Sequence, residues 1–168
     1  MKNIYIHHSA IKQDGTKQFW KINEYHKQKY NFPSLSTGYF GAYTFLLEQD
    51  GELRQYREEG EEQAAQKGEN KDTISICLAG DMEVDYPTQA QIGALQGFLS
   101  DKMTKYRLAR QQVKGHKESV YAQTLCPGKN LMDWIIEYRK LSIKEQMIET
   151  IKKVVALLRE QLKRLLVK

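Results

Sequence analysis

Thr73-Ile74-Ser75-Ile76-Cys77-Leu78-Ala79, closed by Gly80-Asp81, is the stretch on which the fold turns. It is a short, nearly continuous apolar run rich in β-branched residues and bounded by a turn signal, which reads as a buried central strand. Working outward, Asn3-Ile4-Tyr5-Ile6-His7-His8 reads as an opening strand. Phe19, Ile22, Tyr25 and Tyr30 recur at helical spacing and predict an amphipathic helix near residues 16–30. Pro33, Ser34, Ser36 and Gly38 mark a loop, after which Ala42–Leu47 reads as a strand. Gln49-Asp50-Gly51-Glu52 is a hairpin turn returning through Leu53–Tyr56. The polar residues 57–72 predict a surface loop, and their acidic run Glu58-Glu59-Gly60-Glu61-Glu62 a solvated one.

Beyond the central strand, Thr88-Gln89-Ala90-Gln91 has the capping-box form and opens a helix towards Tyr106. A short strand near Gln112–Lys114 leads into Gly115-His116, and Leu131–Tyr138 suggests a short helix. Together these elements predict an α/β fold with a mixed central sheet flanked by helices. A second capping box, Ser142-Ile143-Lys144-Glu145, precedes apolar residues at three- and four-residue steps from Met147 to Leu166. That is the pattern of a long amphipathic terminal helix. The expected organisation is one domain over residues 1–140 and an appended helix over 142–168.

The length of 168 residues suits one compact domain with a modest extra element. No run approaches the about 20 apolar residues that span a bilayer. Met1-Lys2 leads straight into a strand, so the reading predicts cytoplasmic synthesis without a secretion signal. The net charge of +5 is uneven: in 142–168 seven basic residues face three acidic ones, leaving only +1 for the rest. A body so nearly neutral, without a nucleic-acid motif, argues against nucleic-acid binding. The basic amphipathic tail fits either packing, on the domain or on a second copy, or contact with an anionic membrane or outer membrane.

Chemistry-bearing residues are few. Of two cysteines, Cys77 lies in the central apolar run and reads as a buried core thiol, whereas Cys126 sits in the turn-forming Leu125-Cys126-Pro127-Gly128. A disulfide between them is an alternative, although two cysteines without a signal segment more often stay reduced. The histidines are His7, His8, His26 and His116. A histidine at a strand end, another on a late short strand and a cysteine ten residues on could converge as a three-ligand metal site with an open fourth position. Spacing alone leaves that open, since scattered histidines are more often structural.

Six motifs in order narrow the reading. Ile4-Tyr5-Ile6-His7-His8-Ser9-Ala10, Gly41-Ala42-Tyr43-Thr44-Phe45 with Gln49-Asp50-Gly51, Lys67-Gly68-Glu69-Asn70 with the central strand, Thr88-Gln89-Ala90-Gln91, Gly115-His116-Lys117-Glu118, and Cys126-Pro127-Gly128 follow one another through residue 138. In that order they resemble the zinc N-acetylmuramoyl-L-alanine amidase family, which includes phage lysozyme-type endolysins and animal peptidoglycan-recognition proteins. The resemblance implies that His7, His116 and Cys126 bind Zn2+ and that the metal activates a water against the amide joining N-acetylmuramic acid to L-alanine. It assigns Tyr43 to orienting that water or hydrogen-bonding the tetrahedral intermediate, and gives the Thr124 hydroxyl a hydrogen bond to the developing oxyanion. His8, on the opposite face of the strand, reads as structural, and His26 as part of helix packing.

One departure stands out: the loop position where many relatives carry a cleft histidine is Ala65 here. The implied partner is bacterial peptidoglycan, and the implied setting is an endolysin acting on the wall after holin-dependent release, with the basic tail aiding antimicrobial access. A non-catalytic peptidoglycan-binding protein and a cytoplasmic wall-recycling amidase are the alternatives.

Overall fold

A computed structural model describes residues 1–140 and, beyond them, Ile148, Ile151 and Val155. Apart from those three residues, the predicted helix over 142–168 lies outside the described residues, as do its membrane and oligomer roles. Strands β1 (Asn3–His8), β2 (Phe45–Leu47), β3 (Leu53–Gln55), β4 (Thr73–Leu78) and β5 (Val113–Gly115) form one sheet in the order β3-β2-β4-β1-β5. β4 pairs in parallel with β1 and β2, β5 pairs in parallel with β1, and β3 returns antiparallel to β2. Helices α1 (Phe19–Tyr30), α2 (Gln89–Tyr106) and α3 (129–140) complete the domain. The mixed α/β architecture matches the sequence expectation. Among the described residues, no helix is long and apolar enough to cross a membrane.

All six residues of β4 are buried, because it lies in the middle of the sheet with helices over both faces. Strand alternation divides the core in two. Ile4, Ile6, Phe45, Leu47, Ile74 and Ile76 pack with Leu95, Phe98 and Leu99 of α2 and with Leu131 and Ile135 of α3. Leu46 and Cys77 face the other way, against Phe19 and Ile22 of α1 and Tyr56. His7 takes the α1 side by the same alternation, next to Cys77 in the strand register.

The capping box at Thr88 forms as predicted, with Gln91 as its partner. Helix α1 begins later than predicted, at Phe19. The buried Glu48, just after β2, accepts hydrogen bonds from the amides of Gln18 and Phe19 at 2.9–3.0 Å and caps that end. A cap supplied from 30 residues away leaves no local signature. Strand β2 is shorter than predicted and starts at Phe45, not Ala42.

The loop 57–72 is the expected surface loop only in part: Glu58, Gly60 and Glu62 are exposed, whereas Arg57, Gln63 and Gln66 are buried. Arg57 is fully buried, donating to the carbonyls of Gly41 at 2.8 Å, Glu62 at 3.2 Å and Phe32. Gln63 donates to the Thr73 carbonyl at 2.7 Å and accepts from Thr44 Oγ1 at 3.0 Å. Polar side chains here do the work of secondary structure by satisfying buried backbone groups, so polarity did not mean exposure. Glu59 is likewise only 13% exposed and meets Lys102 at 2.8 Å, Lys105 at 3.0 Å and the Tyr106 hydroxyl, clamping the loop to α2.

Burial opposes ionisation of Glu59, yet its bonds from Lys102, Tyr106 and Lys105 prevail and lower its pKa to about 2. An unfolded glutamate titrates near about 4.3, so the clamp stabilises fully above that pH and is lost as pH falls towards 2. Glu59→Gln is expected to cost about 1–2 kcal/mol at pH 7 and much less near pH 2. Denaturant titrations of both proteins at the two pH values check this; an equal difference at both would rule the clamp out.

Candidate metal and active site

The site forms where β1 ends and where the segment after β5 returns beside it. Pairing of Ile6 with Gly115 sets His116, the next residue, against His7, with ring centroids 4.5 Å apart. Cys126 arrives on the following turn, held by the Lys117 amide on its carbonyl at 2.8 Å. The sulfur of Cys126 accepts the His8 amide hydrogen at 3.4 Å and lies 3.6 Å from His7 Nδ1. One ligand atom from each of His7, His116 and Cys126 falls within 4.8 Å of the others, a group able to hold a metal ion. Both cysteines are free thiols, so the disulfide alternative does not apply.

His7 Nε2 lies 3.1 Å from Gln66 Oε1. The Gln66 amide nitrogen is already committed, donating to Thr73 Oγ1 at 2.8 Å and the Glu69 carbonyl at 3.1 Å. Its oxygen therefore accepts from His7, which places the ring hydrogen on Nε2 and leaves the Nδ1 lone pair facing Cys126. Gln66 is a partner of the candidate site that the sequence reading missed: nothing within its own loop marks a contact 59 positions away. Its neighbour Ala65 is half-buried, with its amide on Asn70 Oδ1 at 3.1 Å. Gln66→Leu is expected to weaken metal binding 10- to 100-fold, the usual loss when an outer partner of a ligating histidine goes. Competition titration against a chelating dye measures it, and unchanged affinity would show that Gln66 does not set the tautomer.

Burial sets the protonation of the three candidate ligands. Burial, then the neighbouring His116, holds His7 well below the usual imidazole range, despite its bond to Gln66. Burial and then His8 lower His116 as well, so both rings are neutral and carry free lone pairs at neutral pH. Burial pushes the Cys126 thiol up to about 12, against the pull of the His8 amide, so a metal displaces a proton on binding.

His8 and His26 keep the structural roles expected of them. His8 Nδ1 accepts the Met82 amide at 3.0 Å, and His26 Nδ1 accepts that of Ala42 at 3.1 Å. Tyr43 stands beside the histidines, its ring 5.0 Å from His7 and 5.4 Å from His26. With Ser9, Ile11, Lys21, Tyr25 and His26 it lines a cavity of about 460 Å³. Thr124 is exposed on the approach to Cys126, and its hydroxyl oxygen accepts the Cys126 amide hydrogen at 3.1 Å.

Residues 1–129 match the family described as N-acetylmuramoyl-L-alanine amidase. The chain belongs to that family. Among curated proteins, this amidase-family chain is 30% identical to peptidoglycan-recognition protein SC2 of Drosophila melanogaster, over 77% of its own length and 70% of that protein's. It is 28% identical to the endolysin of Escherichia phage T7, over 78% of its own length and 83% of the endolysin's. Among solved structures, the N-acetylmuramoyl-L-alanine amidase LysC of Clostridium intestinale aligns with a TM-score of 0.62 at 28% identity, covering 77% of each chain. Drosophila PGRP-LB shares the amidase-family fold at 19% identity, with a TM-score of 0.68 over 80% of this chain and 78% of its own.

Proposed function

We propose that this amidase-family chain is a zinc-dependent peptidoglycan hydrolase of the endolysin type. The bond cut is the amide between the lactyl group of N-acetylmuramic acid and L-alanine. The observation that carries the reading is the convergence of His7, His116 and Cys126 beside a cavity lined by Tyr43.

The donor set fits zinc. Two neutral imidazoles and one thiol are ligands that zinc prefers, and three protein ligands leave a position for substrate chemistry. A tetrahedral centre with ordinary zinc bond lengths puts its nitrogen and sulfur ligands about 3.6 Å apart, and Cys126 Sγ lies 3.6 Å from His7 Nδ1. Bound there, zinc supplies Lewis acidity, polarising the scissile carbonyl and acidifying a water towards a pKa of about 7.

The chain's own groups supply the positioning. Tyr43 lies beside His7, with ring centroids 5.0 Å apart, and its hydroxyl would orient the attacking water. Thr124 can donate its O–H to the carbonyl oxygen, because its oxygen is already occupied by the Cys126 amide. Hydrolysis leaves the water oxygen on the lactyl carboxylate, breaks the C–N bond and puts protons on the alanine nitrogen. The cavity along α1, with Lys21 and Lys29 at its walls, is suited to an acidic peptide stem.

The test is turbidity loss of purified peptidoglycan with native, chelator-treated and zinc-restored protein. Clearing by the native and restored samples alone, with products whose masses match cleavage at the lactyl–L-alanine bond, is the expected result. Ala65 at the usual cleft-histidine position, and kinship with recognition proteins, favour one competing reading, a wall-binding protein without catalysis. Sedimentation with walls that never clear would establish that reading and sink the first.

A further inference from the structure

The metal group borders a second cavity, for which the proposed function has no occupant. It measures about 410 Å³ and is lined by Lys67, Val120, Tyr121, Ala122 and Gln123. It shares no lining residue with the α1 cavity, and His7 borders a wall of each. The His7 ring lies 5.0 Å from Tyr43 on one side, and its Nε2 lies 3.1 Å from Gln66, the neighbour of Lys67, on the other. The second cavity also adjoins Cys126: Gln123 precedes Thr124, whose hydroxyl oxygen holds the Cys126 amide at 3.1 Å. Two loops build the cavity and are tied together. The Val120 amide donates to Glu69 Oε2 at 2.9 Å, and the Tyr121 ring rests against Gly68. A Cβ at position 68 would stand 2.6 Å from two carbons of that ring, so the ring comes this close only because residue 68 is a glycine. Tyr121 is nonetheless 65% exposed, with Val120 at 73% and Leu125 at 70% on the same loop. Single exposed apolar side chains need no explanation, but a group of them on the loop that carries Thr124 and Cys126 marks a contact surface.

We propose that this surface is the subsite for the glycan strand, with Tyr121 packing against the face of an N-acetylated sugar ring. This rests on the amidase reading above and deepens it. The scissile amide joins a sugar to a peptide, so a substrate with that bond at the metal extends away in two directions of different chemistry. The α1 cavity, with Lys21 and Lys29 at its walls, takes the acidic stem. The sugar then falls on the side of Lys67 and Tyr121. A pyranose ring has apolar C–H faces edged by hydroxyl and acetamide groups. An exposed aromatic ring with a few polar neighbours matches that pattern. Lys67 and the Gln123 amide supply donors for the acetamide and hydroxyl oxygens, and the Gln123 carbonyl an acceptor for a hydroxyl hydrogen.

Calorimetric titration of the full chain with two separate probes tests this. One is a peptide-free tetrasaccharide of alternating N-acetylglucosamine and N-acetylmuramic acid; the other is the free stem tetrapeptide. Tyr121→Ala is expected to weaken tetrasaccharide binding about tenfold and to leave peptide binding unchanged. Tyr121→Phe, which keeps the ring, is expected to bind both probes as the native chain does. The exposure of Tyr121 means that both variants should melt with the native chain. The proposal is overturned if the native chain does not bind the tetrasaccharide or if Tyr121→Ala leaves its affinity unchanged. Equal weakening of both probes, or a loss in Tyr121→Phe as large as in Tyr121→Ala, overturns it as well. Wall clearing separates the subsite from the reading it rests on. A native chain that binds the tetrasaccharide through Tyr121 yet never clears walls would remove catalysis and leave the subsite standing. Clearing by Tyr121→Ala with the native KM would keep the amidase and remove the subsite.

Discussion

On the proposed zinc-amidase reading, Cys126→Ala is expected to empty the metal site and abolish wall hydrolysis while leaving the fold in place. Zinc affinity should fall by about 10³-fold or more, well beyond the loss for an outer-shell partner, since one of three protein ligands disappears and no neighbouring carboxylate can replace it among the described residues. The rate should fall by at least as much, because the carbonyl loses its Lewis acid. Stability should change little by comparison. The His8 amide loses its sulfur acceptor, a cost of about 1–3 kcal/mol for a buried donor left alone. Zinc content after dialysis and clearing of purified walls measure the two effects. A variant that lost its metal yet cleared walls at the native rate would show that this centre is not the catalytic one.

The second large effect belongs to a residue with no functional group. Gly128 follows Cys126-Pro127 with a φ of +85°, and its amide closes the turn onto the Leu125 carbonyl at 2.8 Å. A Cβ there would stand 2.4 Å from the Met82 carbonyl carbon and 2.7 Å from the Glu83 nitrogen. Both are backbone atoms, which cannot swing aside as a side chain can. Gly128→Ala is therefore expected to destabilise by about 3 kcal/mol or more, combining positive-φ strain with a forced backbone shift. For a chain of this size that lowers Tm by about 6–12 °C. The shift falls on the segment that also positions the His8 ring through the Met82 amide, so metal affinity should drop with stability. Scanning calorimetry with and without zinc checks both; an unchanged Tm would mean that the Met82–Glu83 segment gives way freely.

Much of the fold was legible because it is written in short-range patterns. The apolar run at 73–79 and the strand at 3–8 need only their own residues to declare themselves, and they are the central strand β4 and its inner neighbour β1. The capping box at Thr88 likewise started α2 where four adjacent residues said it would. Failures occurred where the partner was remote. Helix α1 starts at Phe19 because Glu48 caps it, and 57–72 is a partly buried loop because Arg57, Gln63 and Gln66 find backbone and side-chain partners inside the domain. A polar residue looks the same in sequence whether its partner is water or a buried carbonyl.

The candidate site divides along the same line. The types of His7, His116, Cys126, Tyr43 and Thr124, and their order in the chain, were sequence properties, as was the alternation that sends His7 and His8 to opposite faces. Only the tertiary structure brought residues 118 positions apart into one hydrogen bond, from the His8 amide to Cys126. It alone chose Gln66 to set the His7 tautomer. The physical reason is that backbone periodicity and capping act over a few residues, whereas ligand geometry depends on strand pairing and on turns that close from opposite ends of the chain.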